Sequence, residues 1–505
     1  MTNHLFDAIR SAANPAAKFV ESNRGQIWTY GDMLNESARL AATLERLGVR
    51  PGDRVAVQVD KSVEALMLYI ACIRAGAVYL PLNTAYTLTE IEYFVGDAEP
   101  RLIVCNPRNR PGIAEIAAAS SASVETLDEA GEGSLMERAR SEPADYHDVQ
   151  RAPDDLAAIL YTSGTTGRSK GAMLSHDNLL SNALTLRETW RFSSSDRLIH
   201  ALPIFHTHGL FVATNVVLMS GASMYFLPKF DPDEIISLLE TATVMMGVPT
   251  FYVRLLQHPD LRQESAAKMR LFISGSAPLL AETHRAFLEK TGHAILERYG
   301  MTETNMNTSN PYEGERIAGT VGFPLPGVEL RITDPVSGQE LPKGDTGMIE
   351  VKGPNVFKGY WRMPEKTQAE FRADGFFITG DLGTIDDRGY VHIVGRGKDL
   401  VISGGYNIYP KEVETEIDQL EGVVESAVIG VAHPDLGEGV TAVVVPKPDC
   451  SLREQDVLDG LSGRLARYKQ PRRVIFVDEL PRNTMGKVQK NVLRNTYADL
   501  YAPGT

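Results

Sequence analysis

Short hydrophobic runs recur along the first part of the chain, and most precede a segment whose apolar residues have helical spacing. The run "DRVAVQV" precedes the helical "SVEALMLYIACIRAG", and "AVYLPL" comes next. Similar runs are "RLIVCN", "LAAILYT", "RLIHALPI", "ASMYFL", "ATVMMGV" and "MRLFISG". Strands that alternate with helices predict parallel sheets covered by helices, in more than one layered unit of an α/β protein.

The pattern changes near residue 320, where short β-rich runs are separated by turn residues. These runs are "VELRITD", "MIEVKG", "FFITGD" and "YVHIVG", and turns such as "PVSGQE" and "DDRGY" predict an antiparallel region. After "GRGKD" the pattern becomes mixed again, with the helices "YPKEVETEIDQL" and "QDVLDGLSGRLA" and three strand-like runs between and after them. We therefore predict a large N-terminal domain, 1–397, with its antiparallel part from about 320, and a small mobile α+β domain, 399–505.

Composition and charge narrow the class of protein. A chain of 505 residues is too long for a single core and predicts several domains. The formal net charge of −14, without a long basic run, argues against a nucleic-acid or anionic-membrane partner. Arg74, Gly76 and Pro81 interrupt the longest apolar stretch, so it predicts a buried helix followed by a strand, and not a membrane span.

The cysteines indicate the compartment. Cys72, Cys105 and Cys450 lie far apart and form no CxxC spacing, so neither a disulfide framework nor a zinc site is expected. The N-terminus "MTNHLFDAIRSAANPAAKF" contains no apolar core typical of a signal peptide. These features predict a cytoplasmic protein.

The segment "YTSGTTGRSKGAMLSH", residues 161–176, contains almost no bulky side chains before its last residues. Glycines let backbone N–H groups approach a ligand, and hydroxyl and cationic side chains add donors, so phosphate is the natural guest. The spacing is not that of a Walker A loop, and a Gly/Ser/Thr cluster by itself is more often a surface loop. The candidate phosphate-binding residues are Thr162, Ser163, Gly164, Thr165, Thr166, Gly167 and Lys170.

Further motifs follow this loop in a fixed order: "YGMTET" at 299–304, "TGD" at 379–381, "GRGKD" at 395–399 and "PRNTMGK" at 481–487. Together they resemble the acyl-adenylate-forming family, which includes acyl-CoA synthetases, adenylation domains of peptide synthetases and firefly-type luciferases. The resemblance covers nearly the whole chain. Ser169 stands where the family usually has proline, which reduces loop rigidity without removing phosphate donors.

Three longer segments resemble bacterial malonate–CoA ligases within that family: "RLFISGSAPLLAETHR", "ERYGMTETNMNTSNPYEGERIAGTVGFPLPG" and "LPRNTMGKVQKNVLR". The resemblance implies that malonate, ATP and CoA are converted to malonyl-CoA, AMP and diphosphate. The reaction would use Mg²⁺ and pass through malonyl-AMP. Methylmalonate is a second expected substrate. The alternatives are a CoA ligase for another short-chain acid, an enzyme that loads a carrier protein, and a non-catalytic nucleotide-binding protein.

The resemblance also implies roles on the nucleotide side. The loop at 162–170 would hold the β- and γ-phosphates, Glu303 would hold Mg²⁺, and Thr302 would contact the α-phosphate. Without the companion motifs, the Thr-Glu pair would more simply be a helix cap. Tyr299 would stack on the adenine, which residues 275–278, including Ser276, Ala277 and Pro278, would line. Asp381 would accept from the ribose hydroxyls, with Arg396 beside it.

For the second half-reaction the resemblance implies a rotation of the C-terminal domain about Lys398. Gly404 and Gly405 would line the path of the pantetheine arm, although a simple Gly-Gly turn explains these two residues equally well. Lys487 would bridge the attacking carboxylate and the α-phosphate. Because acetylation removes this charge, Lys487 is also an expected target of lysine acetylation machinery.

The acid pocket must accommodate the second, unreactive carboxylate of malonate. Buried without a partner, that carboxylate would cost several kcal/mol, so a cation is expected beside it. The resemblance makes Arg285 the first choice, with Ser276 as a helper donor, and the alternative is that Arg285 is an exposed helix arginine. A metal pair formed by His206 and His208 is disfavoured. The resemblance makes His206 part of a gate at the acyl carboxylate and His208 a pocket residue; the reserve cations are Arg254 and Arg298.

Overall fold

The computed structural model of the protein describes residues 3–162, 169–404, 406–448, 450–483 and 486–502. Some of the residues that the sequence singled out lie outside the described residues. They are Ser163, Gly164, Thr165, Thr166 and Gly167 of the predicted phosphate loop, and Gly405 of the predicted CoA path.

Contacts divide the chain into two compact units. The first comprises Met1–Glu329 and Val351–Phe377, and the second comprises Leu330–Glu350 and Ile378–Thr505. The sequence-based boundary lies at Lys398 and assigns the antiparallel region to the N-terminal domain, whereas the contacts group most of that region with the C-terminal residues. A division into compact units does not identify a pivot, so the boundary and the hinge at Lys398 stay predictions.

The first unit contains the strands that the alternating pattern predicted, together with edge strands that it did not. In chain order they are β1 (Lys18–Ser22), β2 (Ile27–Thr29), β3 (Arg54–Gln58), β4 (Val78–Pro81), β5 (Leu102–Cys105), β6 (Ser123–Thr126), β7 (Leu156–Thr162), β8 (Lys170–Ser175), β9 (Arg197–His200), β10 (Ser223–Phe226), β11 (Val244–Gly247), β12 (Leu271–Ser274), β13 (Leu296–Met301), β14 (Asn305–Ser309) and β15 (Phe323–Pro324).

Helices connect these strands, and several begin at reciprocal caps. Thr29 caps α2, Thr87 caps α4 and Ser175 caps α7, each paired with a polar residue three positions later. The helices are α1 (His4–Ala12), α2 (Tyr30–Arg46), α3 (Val63–Arg74), α4 (Leu88–Ala98), α5 (Arg110–Ser120), α6 (Ser134–Ala139), α7 (His176–Thr189), α8 (Asn215–Ser220), α9 (Pro232–Leu238), α10 (Pro249–Gln257), α11 (Ala281–Thr291) and α12 (Pro364–Ala369), with a 3₁₀ turn at Pro107–Asn109 and a π-helix at His208–Thr214.

The described strands of the first unit form two sheets. One has the order β15-β14-β13-β12-β11-β9-β10-β1-β2, and the other has the order β6-β5-β3-β4-β7-β8. The central pairs are parallel, as the sequence predicted, and the antiparallel neighbours β2, β8, β14 and β15 lie at the edges. Register aligns the carboxyl ends of β9, β11, β12 and β13 at one edge, which is where open α/β sheets bind ligands.

The second unit begins with a four-stranded sheet of order β16-β17-β18-β19. A second sheet, of order β21-β20-β23-β22, follows it and packs against helices. Strand β24 adds in parallel to β23 in that second sheet, whose other printed pairs are antiparallel. Its elements are β16 (Glu329–Thr333), β17 (Gly347–Lys352), β18 (Phe377–Ile385), β19 (Val391–Arg396), a 3₁₀ turn at Gly397–Asp399, β20 (Val401–Ser403), β21 (Tyr406–Ile408), α13 (Pro410–Asp418), β22 (Val423–His433), β23 (Gly437–Pro446), α14 (Glu454–Leu461), β24 (Arg473–Phe476) and α15 (Lys490–Thr496).

The longest apolar stretch of the sequence forms the buried helix α3. Apart from Glu64, every residue of α3 is buried among its neighbours, which accounts for its nearly continuous apolar sequence. Among the residues that the structure describes, no helix has both the length and the apolar character that crossing a membrane requires.

Candidate active site

The two described ends of the predicted phosphate loop lie side by side. Thr162 ends β7 and Lys170 begins β8, and the two residues are register partners in an antiparallel pair. The Lys170 side chain is nearly buried, with its Nζ 3.2 Å from Oε1 of Glu370 and 4.1 Å from the ring centre of Tyr360. The loop therefore begins and ends on a hairpin whose lysine is already oriented by a carboxylate and an aromatic ring.

Tyr360 connects that lysine with Glu303. Its hydroxyl lies 2.6 Å from Oε2 of Glu370 and 3.1 Å from Oε1 of Glu303, which is buried in the turn between β13 and β14. Burial and the two neighbouring carboxylates raise the pKa of Tyr360, so the hydroxyl keeps its proton. We refer to Lys170, Glu303, Tyr360 and Glu370 as the Tyr360 cluster.

The donor set around Glu303 fits Mg²⁺ held together with a nucleotide. Mg²⁺ in such sites takes one or two protein carboxylates and completes its shell with phosphate oxygens and water. Within the described part of the chain, no three His, Cys, Asp or Glu side chains form a group that could hold a metal by themselves. Glu303 is thus suited to a metal that arrives with phosphates, with half-buried Thr302 beside it in the same turn.

A second group of polar residues surrounds Arg298, which lies on β13 and is only 4% exposed. Its Nε and Nη2 atoms are buried without a hydrogen-bond partner among the described residues. Gly275 makes room for this side chain, since a Cβ at that position would lie 2.4 Å from Cζ of Arg298. Burial lowers the pKa of the guanidinium, because water no longer solvates the charge.

His208 and Ser276 lie next to this arginine. Nδ1 of His208 is 3.1 Å from the hydroxyl of Ser276, and Nε2 of His208 is buried without a partner among the described residues. Burial lowers the pKa of His208 well below its usual value, with Arg298 as the next contribution, so the imidazole is neutral. Ser276 has a φ of 72°, a left-handed conformation that non-glycine residues adopt rarely and often at functional sites.

The other predicted pocket residues fall around this group. His206 is half-buried and its Nδ1 accepts from the backbone N–H of His208 at 3.2 Å. Tyr299 and Ala277 are half-buried, and Pro278 is exposed. These positions are compatible with the walls of a pocket at the carboxyl ends of β12 and β13.

Arg285, the first choice for the cation of the acid pocket, is exposed on α11, and the reserve Arg254 is exposed on α10. The ranking made from the sequence followed the resemblance, because helical spacing alone does not show which arginine is shielded from solvent. Of these three candidates only Arg298 is buried, with two guanidinium nitrogens that have no partner among the described residues, and the role of each arginine stays a prediction.

Asp381 and Arg396 are neighbours in the second unit, as the motif reading expected. They are register partners on β18 and β19, and Oδ1 of Asp381 lies 2.7 Å from Nε of Arg396. Asp381 is buried, and its backbone N–H donates to the Thr379 hydroxyl at 3.0 Å. Lys398 is exposed in the following 3₁₀ turn, and Gly404 has a φ of 58° at the turn between β20 and β21.

Lys487 lies at the end of a turn that Asn483 closes. The backbone N–H of Lys487 donates to Oδ1 of Asn483 at 3.0 Å, and the N–H of Asn483 donates to the carbonyl of Lys487 at 2.9 Å. Gly486, directly before Lys487, has a φ of 74°, a conformation that glycine adopts readily. The backbone of Lys487 is therefore fixed while its side chain is half-buried.

The sequence analysis missed Tyr360 and Glu370. Both lie in the stretch that follows "GPNVF", far along the chain from the phosphate loop, and neither belongs to a motif that we used. The pairing of Phe357 N–H with the Glu303 carbonyl at 2.8 Å brings this stretch to the β13–β14 turn, which no local pattern predicts.

Comparison with known proteins identifies the family. Residues 8–361 match the family model described as AMP-binding enzyme, and residues 412–487 match the AMP-binding enzyme C-terminal domain. The chain belongs to the AMP-binding enzyme family. The resemblance to adenylate-forming enzymes and the expected fold class are thereby confirmed.

Several relatives match over nearly their full length. A crystal structure of ATP-bound MatB from Rhodopseudomonas palustris is 64% identical, with a TM-score of 0.98 and coverage of 99% of this chain and 100% of that chain. Malonate–CoA ligase of Arabidopsis thaliana is 33% identical over 98% of this chain and 91% of its own. Feruloyl-CoA synthase of an Amycolatopsis species is 37% identical, with 97% of both chains covered.

Proposed function

We propose that the protein is an ATP-dependent malonate–CoA ligase, which forms malonyl-CoA, AMP and diphosphate through malonyl-AMP. The likeness to a malonate–CoA ligase along the whole chain supports this assignment. The observation that carries the choice of acid is the buried, unpaired guanidinium of Arg298 beside His208 and Ser276.

Arg298 favours a diacid because a buried cation without an anion is costly. The carboxylate that is not activated in malonate would accept hydrogen bonds from the free Nε and Nη2 atoms, in the paired geometry that guanidinium groups offer. Ser276 would donate to the same carboxylate. A monoacid such as propionate, or ferulate as named for one of the relatives, brings no second carboxylate and would leave the cation unpaired.

The first half-reaction brings two anions together. A carboxylate oxygen of malonate attacks the α-phosphorus of ATP, an O–P bond forms, and the bond to the diphosphate oxygen breaks. Lys170 would neutralise the β- and γ-phosphates, Thr302 would contact the α-phosphate, and His206 would border the reacting carboxylate. Mg²⁺ held by Glu303 would supply further charge neutralisation along the phosphates.

Residues of the second unit complete the proposal. Asp381 would accept hydrogen bonds from the ribose hydroxyls, oriented by Arg396, and Lys487 would reach the α-phosphate during adenylation. In thioester formation the CoA sulfur attacks the carbonyl carbon of malonyl-AMP, and AMP leaves with the anhydride oxygen. Gly404 and Gly405 would line the pantetheine path, because a side chain there would obstruct it.

The test is AMP release with purified protein over a panel of C2 to C6 mono- and diacids, with and without CoA. Malonate should give CoA-dependent turnover, and each monoacid should be at least ~10²-fold slower in kcat/KM because it leaves Arg298 unpaired. Burst formation of acyl-AMP without CoA turnover would indicate a carrier-loading enzyme. Absence of AMP with every acid would indicate a nucleotide-binding protein, and a preferred monoacid would overturn the choice of malonate.

Finer parts of the proposal concern substrates and regulation. Methylmalonate would be a second substrate, since one extra methyl group changes discrimination by only ~1–3 kcal/mol. Lysine acetylation machinery acting on Lys487 would switch off adenylation by removing its charge.

We place the protein in the cytoplasm, where the free thiols of Cys72, Cys105 and Cys450 would stay reduced.

Replacing Lys398 by proline is expected to separate the two half-reactions. Proline restricts φ, so a rotation about this residue would be hindered while the adenylating arrangement stays accessible. Malonyl-AMP formation should continue, and its conversion with CoA should fall by at least ~10-fold; single-turnover assays measure both. An equal loss of both steps would mean that Lys398 is not the pivot.

Replacing Tyr360 by phenylalanine is expected to weaken binding of the metal–nucleotide complex. Loss of the hydroxyl removes the link between Glu303 and Glu370, and a hydrogen bond to a charged group contributes ~1.5–3 kcal/mol, so KM for ATP should rise about 10-fold or more. Calorimetric titration with Mg·ATP measures the same change without turnover. Tyr225→Phe, which loses a partly buried hydrogen bond to Thr241, should leave ATP binding unchanged. Equal ATP affinity in Tyr360→Phe and wild type would contradict the role.

A further inference from the structure

The π-helix at His208–Thr214 begins within the acid pocket. A π-helix has a wider turn than an α-helix and occurs mostly where function requires the altered geometry. Here the carbonyl of Gly209 is held from the side by two buried side chains. Nε2 of His200 lies 2.9 Å from this oxygen, and the hydroxyl of Thr214 donates to it at 3.0 Å.

Lys61 holds the other side of His200. Its Nζ is 3.0 Å from Nδ1 of His200 and 2.8 Å from the His200 carbonyl, and it lies 4.3 Å from the ring centre of Phe226. The Gly209 carbonyl can only accept, so the ring hydrogen of His200 is on Nε2, and Nδ1 accepts from Nζ of Lys61. Nε2 then donates to Gly209. The contacts thus form one directed chain from Lys61 through His200 to the start of the π-helix.

Gly209 transmits this constraint to its neighbours. A Cβ at Gly209 would lie 2.1 Å from the carbonyl oxygen of Pro203, so the two backbone segments are in close contact. His208 precedes Gly209 directly and contacts Ser276 through Nδ1. A shift of the Gly209 carbonyl would therefore displace the His208 ring from Ser276 and from the neighbourhood of Arg298.

Stability alone does not account for a lysine at this position. Burial lowers the pKa of Lys61 well below its usual value, and no carboxylate pairs with it in the part of the chain that the structure describes. The half-buried ammonium of Lys61 loses part of its hydration without gaining an anion, which is unfavourable, whereas a methionine of similar length would carry no such cost. Lysine can donate a hydrogen bond to Nδ1 of His200 and so fix the orientation of that ring, whereas methionine has no hydrogen to donate.

We propose that Lys61 and His200 are positioning residues for the acid pocket: they hold the Gly209 carbonyl, and thereby the start of the π-helix, so that His208 lies against Ser276 beside Arg298. The inference rests on the proposed function, because it assigns the pocket to malonate. Neither residue contacts a member of the Tyr360 cluster. Their replacement therefore changes recognition of the acid and leaves recognition of ATP unchanged.

The test compares Lys61→Met, Lys61→Gln and His200→Phe with wild type in steady-state kinetics. Loss of one buried hydrogen-bonded link corresponds to about a tenfold change, so KM for malonate rises ~10-fold in Lys61→Met and His200→Phe. The glutamine variant, which retains an N–H donor, shows a smaller rise. KM for ATP stays within about twofold in all variants. The double variant Lys61→Met/His200→Phe is no worse than His200→Phe, because both residues act through one chain.

Tyr30→Phe is the matched control for a purely structural effect. The Tyr30 hydroxyl lies 3.0 Å from the carbonyl of Val217 in α8 and 2.8 Å from that of Ala222 just beyond it, and it donates its one hydrogen between them. Its removal therefore also takes a buried hydrogen bond from the helix that follows the π-helix. The melting temperature of the Tyr30→Phe variant falls, while its KM for malonate does not change. A rise in KM for malonate of the same size in Tyr30→Phe would overturn the proposal.

Other outcomes separate the inference from the proposed function. Unchanged KM for malonate in folded Lys61→Met, or equal rises for malonate and ATP, overturns the positioning role while wild-type turnover with malonate upholds the function. Absence of malonate turnover in the wild type refutes the function itself. Additive losses in the double variant show that Lys61 does not act through His200, and this also overturns the proposal.

Discussion

Replacing Lys487 by alanine is expected to slow malonyl-AMP formation by at least ~10², while supplied malonyl-AMP still reacts with CoA at nearly the wild-type rate. The expected loss follows from removing one group that stabilises charge in the transition state, which contributes ~2.7–4 kcal/mol. Lysine suits this role because its ammonium is a compact charge on a flexible side chain, here carried by a backbone that Asn483 holds. Rapid-quench assays of the separate half-reactions measure the two rates.

Another exposed lysine of the second unit provides the control. Lys447→Ala, also in the second unit, removes a charge without touching the turn at Lys487 and should leave both half-reactions unchanged. Lys487→Gln, which mimics acetylation in charge, should reproduce the split seen with alanine. If Lys487→Ala impaired the reaction with CoA as severely as adenylation, the assignment would be wrong.

Replacing Arg298 by methionine should lower kcat/KM for malonate by ~10²–10³ and affect propionate far less. Truncating one partner of a buried charge pair costs ~3–5 kcal/mol, which corresponds to that range of rates. Methionine fills a similar volume and removes an unpaired buried cation, so the free variant should be at least as stable as wild type. Kinetics with both acids, together with thermal unfolding, measure these effects.

Arg285→Ala is the matched arginine control for this experiment. Its side chain is exposed on α11, so its removal should change kcat/KM for malonate by no more than about twofold. A malonate-specific loss in Arg285→Ala, with none in Arg298→Met, would restore the first choice made from the sequence. Equal losses for malonate and propionate in Arg298→Met would mean that the arginine supports the fold and does not recognise the second carboxylate.

The sequence by itself determined most of the elements and the class of chemistry. The run "DRVAVQV" became β3, "SVEALMLYIACIRAG" became α3, and "YVHIVG" became β19, because apolar periodicity reflects which faces must be buried. The ordered motifs identified the adenylate-forming family. Contacts that are local in sequence, such as Asp381 with Arg396 across adjacent strands, also followed from the motifs.

Only the tertiary structure decided which polar residues lose their solvent and which distant residues meet. No local pattern distinguishes buried Arg298 from exposed Arg285, because burial depends on neighbours from elsewhere in the chain. The same holds for Tyr360 beside Glu303 and for Lys61 beside His200, which lie 57 and 139 positions apart. The energy of a charge or a hydrogen bond depends on this environment, so a residue's type predicts the chemistry available to it, and its burial decides where that chemistry is used.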